Sequence, residues 1–189
     1  VKIVPLNESH VRKVVALHRA TRPWCYRGKD AKAVLGAFYD AYANRDYTVG
    51  TAALLEGGSV VGVICGTTDL EGPARWLRRR RRWRSFWPRL AGGADMALGG
   101  WKAAALAGAP AGAARPGYLL AAVTADGLAD ADVASAFSAF GAAMASRGAA
   151  CICAPTAAPD ERLVKVGFEL ARGGPASADN GFVVYVRRL

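Results

Sequence analysis

Histidine is scarce in this chain, which has only His10 and His18, and its four cysteines (Cys25, Cys65, Cys151 and Cys153) form no Cys-x-x-Cys pair and no Cys/His cluster at zinc-finger spacing. A metal site is therefore not expected. No apolar run reaches the ~18–20 residues that span a bilayer, so no transmembrane segment is expected either. The amino-terminal stretch shows no basic region followed by an apolar run and a small-residue cleavage site. The expected setting is cytoplasmic, with reduced thiols. Charged residues amount to 21% against 52% hydrophobic, which excludes disorder as the main state. At 189 residues the chain fits one domain spanning 1–189.

Acidic residues are missing altogether between positions 75 and 89, a segment that holds eight arginines: Arg75, Arg78, Arg79, Arg80, Arg81, Arg82, Arg84 and Arg89. The formal net charge of +10 is concentrated there, because the rest of the chain carries 17 basic against 15 acidic residues. An anionic partner is expected at this segment and not over the whole surface.

Hydrophobic spacing sets the order of elements. Residues 1 to 6 read as a short strand. Val11, Val14, Val15 and His18 recur at helical spacing, and Ala31, Val34, Leu35, Phe38, Tyr39 and Tyr42 repeat the signal over residues 29 to 44. A hairpin follows, from Val49 to Leu55 and from Val60 to Gly66, with Gly57-Gly58 in its turn. Residues 70 to 117 form a long insert, where Trp76, Trp83, Trp87 and Leu90 fall on one helical stripe with arginines around the rest. Tyr118 to Thr124 reads as a strand covered on both faces. A helix is expected from about Asp132 to Ser146 with Val133, Phe137, Phe140 and Met144 inward. A strand over 149 to 154, a short helix closed by Gly167 and a strand over 182 to 186 complete the chain.

This order and three stretches of sequence resemble the GNAT superfamily of N-acetyltransferases. The stretches are Leu55-Glu56-Gly57-Gly58-Ser59-Val60-Val61-Gly62, the strand Tyr118 to Thr124 with its loop and helix, and the run from Ala150 through Cys151-Ile152-Cys153 to Gly167-Phe168. The resemblance implies an α/β (α+β) fold: a mixed, mostly antiparallel sheet flanked by helices, with the basic helical insert 70–117 between the third and fourth strands. It also implies a thioester donor, acyl-CoA or an acyl carrier protein, held at the loop after the fourth strand. The cofactor-binding positions on this chain would be Val123, Ala125, Leu128, Ala129, Ala131 and Val133.

Two departures from the family pattern stand out. Leu128, Ala129, Ala131 and Val133 occupy the positions of the pattern's basic residue and glycines, and Asp126, Asp130 and Asp132 stand in or beside the loop. Like charges near a diphosphate oppose ordinary acetyl-CoA binding. The family's usual tyrosine proton donor, four residues before the Gly of Gly-Phe, is here Leu163.

Candidate catalytic residues are Asp69, a general base just beyond the third strand or the cap of a turn, and Cys153, a thiol able to accept an acyl group or a buried small hydrophobe. Trp24 and Tyr26 fall where the resembled fold lines its acceptor pocket, and Tyr118 joins them as a candidate substrate contact. His10 and His18 lie two helical turns apart and are expected on the helix surface. The arginine helix reads as a solvated basic face, or as a dock at Arg78–Arg82 for an acidic carrier protein. The leading expectation is an acyltransferase that moves an acyl group from a thioester to an amine or related small-molecule nucleophile. The alternatives are a protein of the same fold that has abandoned acetyl-CoA for other biosynthetic chemistry or simple binding, and a nucleic-acid or membrane-surface binder working through the arginine helix.

Overall fold

The computed structural model describes residues 1–21, 31–43, 47–55, 57–72, 75, 115–156, 158–171 and 183–189. Trp24, Cys25, Tyr26, the arginine run from position 76 onward with its tryptophan stripe, and Phe182 lie outside the described residues. Eleven elements are described: β1 (Lys2–Pro5), α1 (Glu8–Thr21), α2 (Ala31–Tyr42), β2 (Thr48–Leu54), β3 (Val60–Thr67), β4 (Pro116–Thr124), α3 (Asp130–Ala145), β5 (Cys151–Thr156), α4 (Glu161–Lys165), β6 (Glu169–Leu170) and β7 (Val183–Arg188). The strands form a seven-stranded sheet in the order β1-β2-β3-β4-β5-β7-β6. Every neighbouring pair is antiparallel except β4 with β5.

Local chemistry accounts for the element ends. Asn7 opens α1, its side-chain oxygen accepting from the Ser9 N–H at 3.0 Å. Asp160 opens α4 by accepting from the Arg162 N–H, and Gly167, at φ 87°, turns the chain out of that helix so that Phe168 reaches the core. The β2–β3 turn uses Gly57 and Gly58, both at positive φ, as the sequence indicates.

Two apolar clusters sandwich the sheet. Val14 and Val15 of α1 and Leu35, Tyr39 and Tyr42 of α2 pack with Ala52, Val63, Cys65 and Val123 on one face. Phe137, Phe140 and Met144 of α3 pack with Val49, Ile64, Leu119, Ile152, Leu163 and Phe168 on the other. The described parts of the stripes read in α1, α2 and α3 are these buried faces, with Val11, Phe38 and Val133 at their partly buried edges. The structure adds β6, which sequence periodicity does not reveal because it has only two residues, both exposed.

The middle of the sheet is irregular. Residues of β3 and β4 pair in register from Gly62↔Thr124 to Cys65↔Ala121, and the register then shifts to Gly66↔Leu119, so Leu120 is the extra residue of a β-bulge. Glycine is required opposite it: a Cβ on Gly66 would lie 2.5 Å from the Tyr118 carbonyl oxygen and 2.6 Å from the Phe140 ring. On its other side β4 pairs with β5 only through Pro116↔Cys151, Gly117↔Ile152 and Tyr118↔Cys153. Beyond Tyr118 the two parallel strands part.

Candidate active site

A cavity of about 670 Å³ fills the gap where β4 and β5 separate, within the size range of small-molecule sites. Its lining runs along β4 from Leu119 to Thr124, across to Ala154, Pro155 and Thr156 of β5, and takes in residues of α1, α3 and α4. Because the strands have parted, residues belonging to both faces of the sheet meet here: His18 of α1 on one side, and Val133, Phe137 and Leu163 on the other. The β4 backbone from Leu119 to Thr124 borders the cavity with no strand paired on that edge among the described residues. Backbone N–H groups along such an edge are the donors that a thioester carbonyl, and the oxyanion it becomes, would use.

The cavity's charged residues cluster at α4. Asp160 accepts from Arg162 Nε at 2.9 Å and from its terminal nitrogen at 2.7 Å, a two-point pair. That pairing raises the Arg162 pKa, its hydrogen bond to Asp160 outweighing burial. Leu163 is buried and lines the cavity at the position where the family pattern places a tyrosine, so this wall offers no hydroxyl there.

The loop from β4 to α3 carries the remaining donor-binding candidates. Val123 and Val133 line the cavity, whereas Ala125, Leu128, Ala129 and Ala131 sit in the loop and first helical turn beyond it. Ala125 N–H donates to the Val61 carbonyl at 2.7 Å, holding the loop's start to β3. Ala129 is the N-cap of α3 and makes no side-chain cap hydrogen bond. Helix starts attract anions through their unpaired N–H groups, but Asp130 and Asp132 already place negative charge in this first turn. Lys165 lies 3.3 Å from Asp130 and is committed to it. The residues present suit an apolar thioester arm along β4 and do not suit a diphosphate at the start of α3.

The other sequence-derived candidates lie elsewhere. Asp69 caps the turn after β3, accepting from the Glu71 N–H at 2.9 Å and pairing with the Arg75 guanidinium. Burial pushes its pKa up, but the hydrogen bonds from Arg75 and Glu71 and the Arg75 charge bring it below the ordinary value. A carboxylate held ionised in this way is a turn cap and a weak base, and it does not line the cavity. Cys151 and Cys153 do point to one face, where they pack with Tyr118 and Leu70. Burial, reinforced by the neighbouring Cys151, pushes the Cys153 thiol up to about 12, so it is no nucleophile at neutral pH. Tyr118 is 5% exposed and belongs to the same buried cluster, not to the cavity wall.

His18 corrects the expectation of a surface position. It is buried, lines the cavity, and its Nδ1 lies 2.6 Å from the Tyr39 hydroxyl of α2. The signal was available, since His18 completes the apolar spacing of Val11, Val14 and Val15. A titratable side chain on the buried stripe of a helix is a cavity candidate.

The mixed, mostly antiparallel seven-stranded sheet with helices on both faces has the fold of the GNAT N-acetyltransferases, solved structures of which match nearly the whole chain. Among them is the polyamine N-acetyltransferase of Drosophila melanogaster, at TM-score 0.64 and 14% identity with both chains covered completely. An aminoglycoside 6'-acetyltransferase type Ii matches at TM-score 0.61 and 14% identity, covering 100% of this chain and 97% of its own. The PaiA N-acetyltransferase of Thermoplasma acidophilum, solved in complex with coenzyme A, matches at 0.57 and 8%, covering 100% and 98%. No protein-family model and no curated protein sequence matches the chain. The likeness is one of fold.

Proposed function

We propose that the protein is an acyltransferase that moves an acyl group from a thioester donor to an amine, or a related nucleophile, of a small molecule. The observation that carries this reading is the cavity between β4 and β5, bordered by an edge of a bulged strand that is unpaired among the described residues and lined from both faces of the sheet. A donor can lie along β4 on the α3 side while an acceptor approaches from the α1 side. The solved structures of the same fold are named for acetyl transfer to polyamines and aminoglycosides, which supports an amine acceptor. The acidic start of α3 favours a donor whose recognition does not depend on a diphosphate at that point. An acyl group on a carrier protein is such a donor, and Arg78–Arg82 would be its docking segment. The same acidic turn, with Leu163 in place of a tyrosine, also supports the second reading, a protein of this fold that has given up acetyl-CoA for other small-molecule chemistry or binding.

Titration with S-acetyl-N-acetylcysteamine, a neutral thioester, should stabilise the protein saturably in a thermal shift assay. Thr124→Trp, which fills the cavity from a partly buried position, should abolish that shift. An equal response in the variant would remove the cavity from the reading.

A further inference from the structure

We infer that the protein holds a second ligand site, on the α3 face of the sheet where β1 meets β2, and that it takes a small monocarboxylate with a hydrocarbon body. The inference is independent of the transferase reading. A cavity of about 330 Å³ lies between β1, β2 and α3, at the low end of the size range of small-molecule sites. The side chains of α3 account for it. Phe137, Phe140 and Met144 fill the neighbouring core, whereas Ala139 and Ala143 are too small to close the space between helix and sheet. Ile3 and Val49 supply the apolar wall from the strands.

Two polar groups of this wall lack a complement. Thr51 is buried, and its hydroxyl finds no hydrogen-bond partner among the described residues. Register fixes the face on which it stands: Thr51 pairs with Ile64, a member of the α3 core cluster, and residues directly opposite on neighbouring strands share a face. A buried hydroxyl without a partner costs stability, and a ligand oxygen that accepts from it removes that cost. Arg147, just past the end of α3, is the second group. Its guanidinium reaches the Ala143 carbonyl at 3.4 Å, a long hydrogen bond, and pairs with no carboxylate among the described residues. The rest of its donor fork is open to a ligand.

Both donors stand towards one end. The Val1 nitrogen lies 4.0 Å from the Asp132 carboxylate in the first turn of α3, and β1 then runs with the helix, so that Ile3 and Pro5 reach the level of Ala139 to Arg147. Pro5 pairs with Thr51, which puts the hydroxyl towards the Arg147 end. A guanidinium and a hydroxyl can both donate, and the group that only accepts at neutral pH is a carboxylate. The rest of the ligand is hydrocarbon, because Ile3, Val49, Ala139 and Ala143 offer it no polar side chain. A phosphate ester or a sugar would leave polar atoms buried against these walls. Since α3 also lends Val133 and Phe137 to the cavity between β4 and β5, the test must tell the two sites apart.

The test is a titration of the full chain with hexanoate and with benzoate at neutral pH, followed residue by residue by amide proton–nitrogen correlation NMR, with hexanol as the uncharged counterpart. Both acids should shift the amides of Ile3, Val49 to Thr51 and Ala139 to Arg147 saturably, and hexanol should bind more weakly at the same residues. Loss of a charged hydrogen bond costs about tenfold or more in affinity, so Arg147→Gln should weaken both acids by at least about tenfold and leave hexanol within about twofold. Thr51→Val keeps the side chain's shape without its hydroxyl; it should weaken the acids and raise the melting temperature of the ligand-free protein. Ala143→Leu should abolish binding of all three compounds. No saturable shift at millimolar acid, shifts confined to Leu119–Thr124, or an Arg147→Gln variant that binds the acids as the wild type does would overturn the inference. Arg147 is partly exposed and Thr51→Val is isosteric, so the test stands even if Ala143→Leu fails to fold.

Discussion

Burial decides what each candidate side chain can do. Cys65, Cys151 and Cys153 are free thiols with 0–2% exposure, and desolvation raises the pKa of each. Native protein treated with iodoacetamide at pH 8 should leave all three unmodified, and denaturant should expose all three, read by peptide mass spectrometry. Alkylation of Cys153 in the folded state at the rate of a free thiol would restore it as a nucleophile candidate. Asp69 was readable either way from the sequence, because a carboxylate two residues past a strand serves equally as base or cap. Only the positions of Glu71 and Arg75 decide it. His18 shows the opposite case, a residue whose helical phase already gave its direction, although the cavity it lines is visible only in the structure. Tyr118 sits on the part of β4 that pairs with β5, where it packs with Cys151 and Cys153 and does not reach the cavity that the rest of the strand borders.

At the scale of elements, the first turn of α3 is the informative one. Its start at Asp130, two residues earlier than the apolar spacing suggests, puts both Asp130 and Asp132 in the first turn. There they complement the helix dipole and compete with any anionic ligand. A unit charge pair at ~4 Å is worth about 1 kcal/mol in water, and about 1.4 kcal/mol is a tenfold change in affinity. Asp130→Asn combined with Asp132→Asn should therefore tighten acetyl-CoA by about tenfold or more while leaving S-acetyl-N-acetylcysteamine within about twofold, measured by calorimetry. Equal effects on the two donors would show that the acidic turn does not face the donor. The hairpin, α2 and α3 were legible because their periodicity and turn glycines agree with the packing they reach. The bulge at Leu120 was not, since one extra residue in an apolar run leaves no mark on hydrophobicity. Gly66, the glycine that accommodates it, reads in sequence only as the end of a strand.

For the molecule as a whole, the sheet is continuous on both sides of one gap, and that gap joins the two faces. The order of elements along the chain, β6 excepted, could be anticipated from sequence, because it depends on local patterns. The parting of β4 from β5 is a long-range property: the two pair through three residues at one end only, while β5 stays paired with β7 along its whole length from Cys151 to Thr156. Among the described residues no helix is long and apolar enough to cross a membrane.

The central claim is that an acyl group crosses this gap from a thioester to an amine. It is tested most directly by incubating the protein with S-acetyl-N-acetylcysteamine, or with acetyl-CoA, and each of spermidine, agmatine and kanamycin, then detecting the acetylated amine by mass spectrometry. The account predicts an acetylated amine that forms in proportion to enzyme and disappears with Thr124→Trp. Product formed equally by the cavity-filled variant, or no product from any donor and acceptor pair, would contradict it.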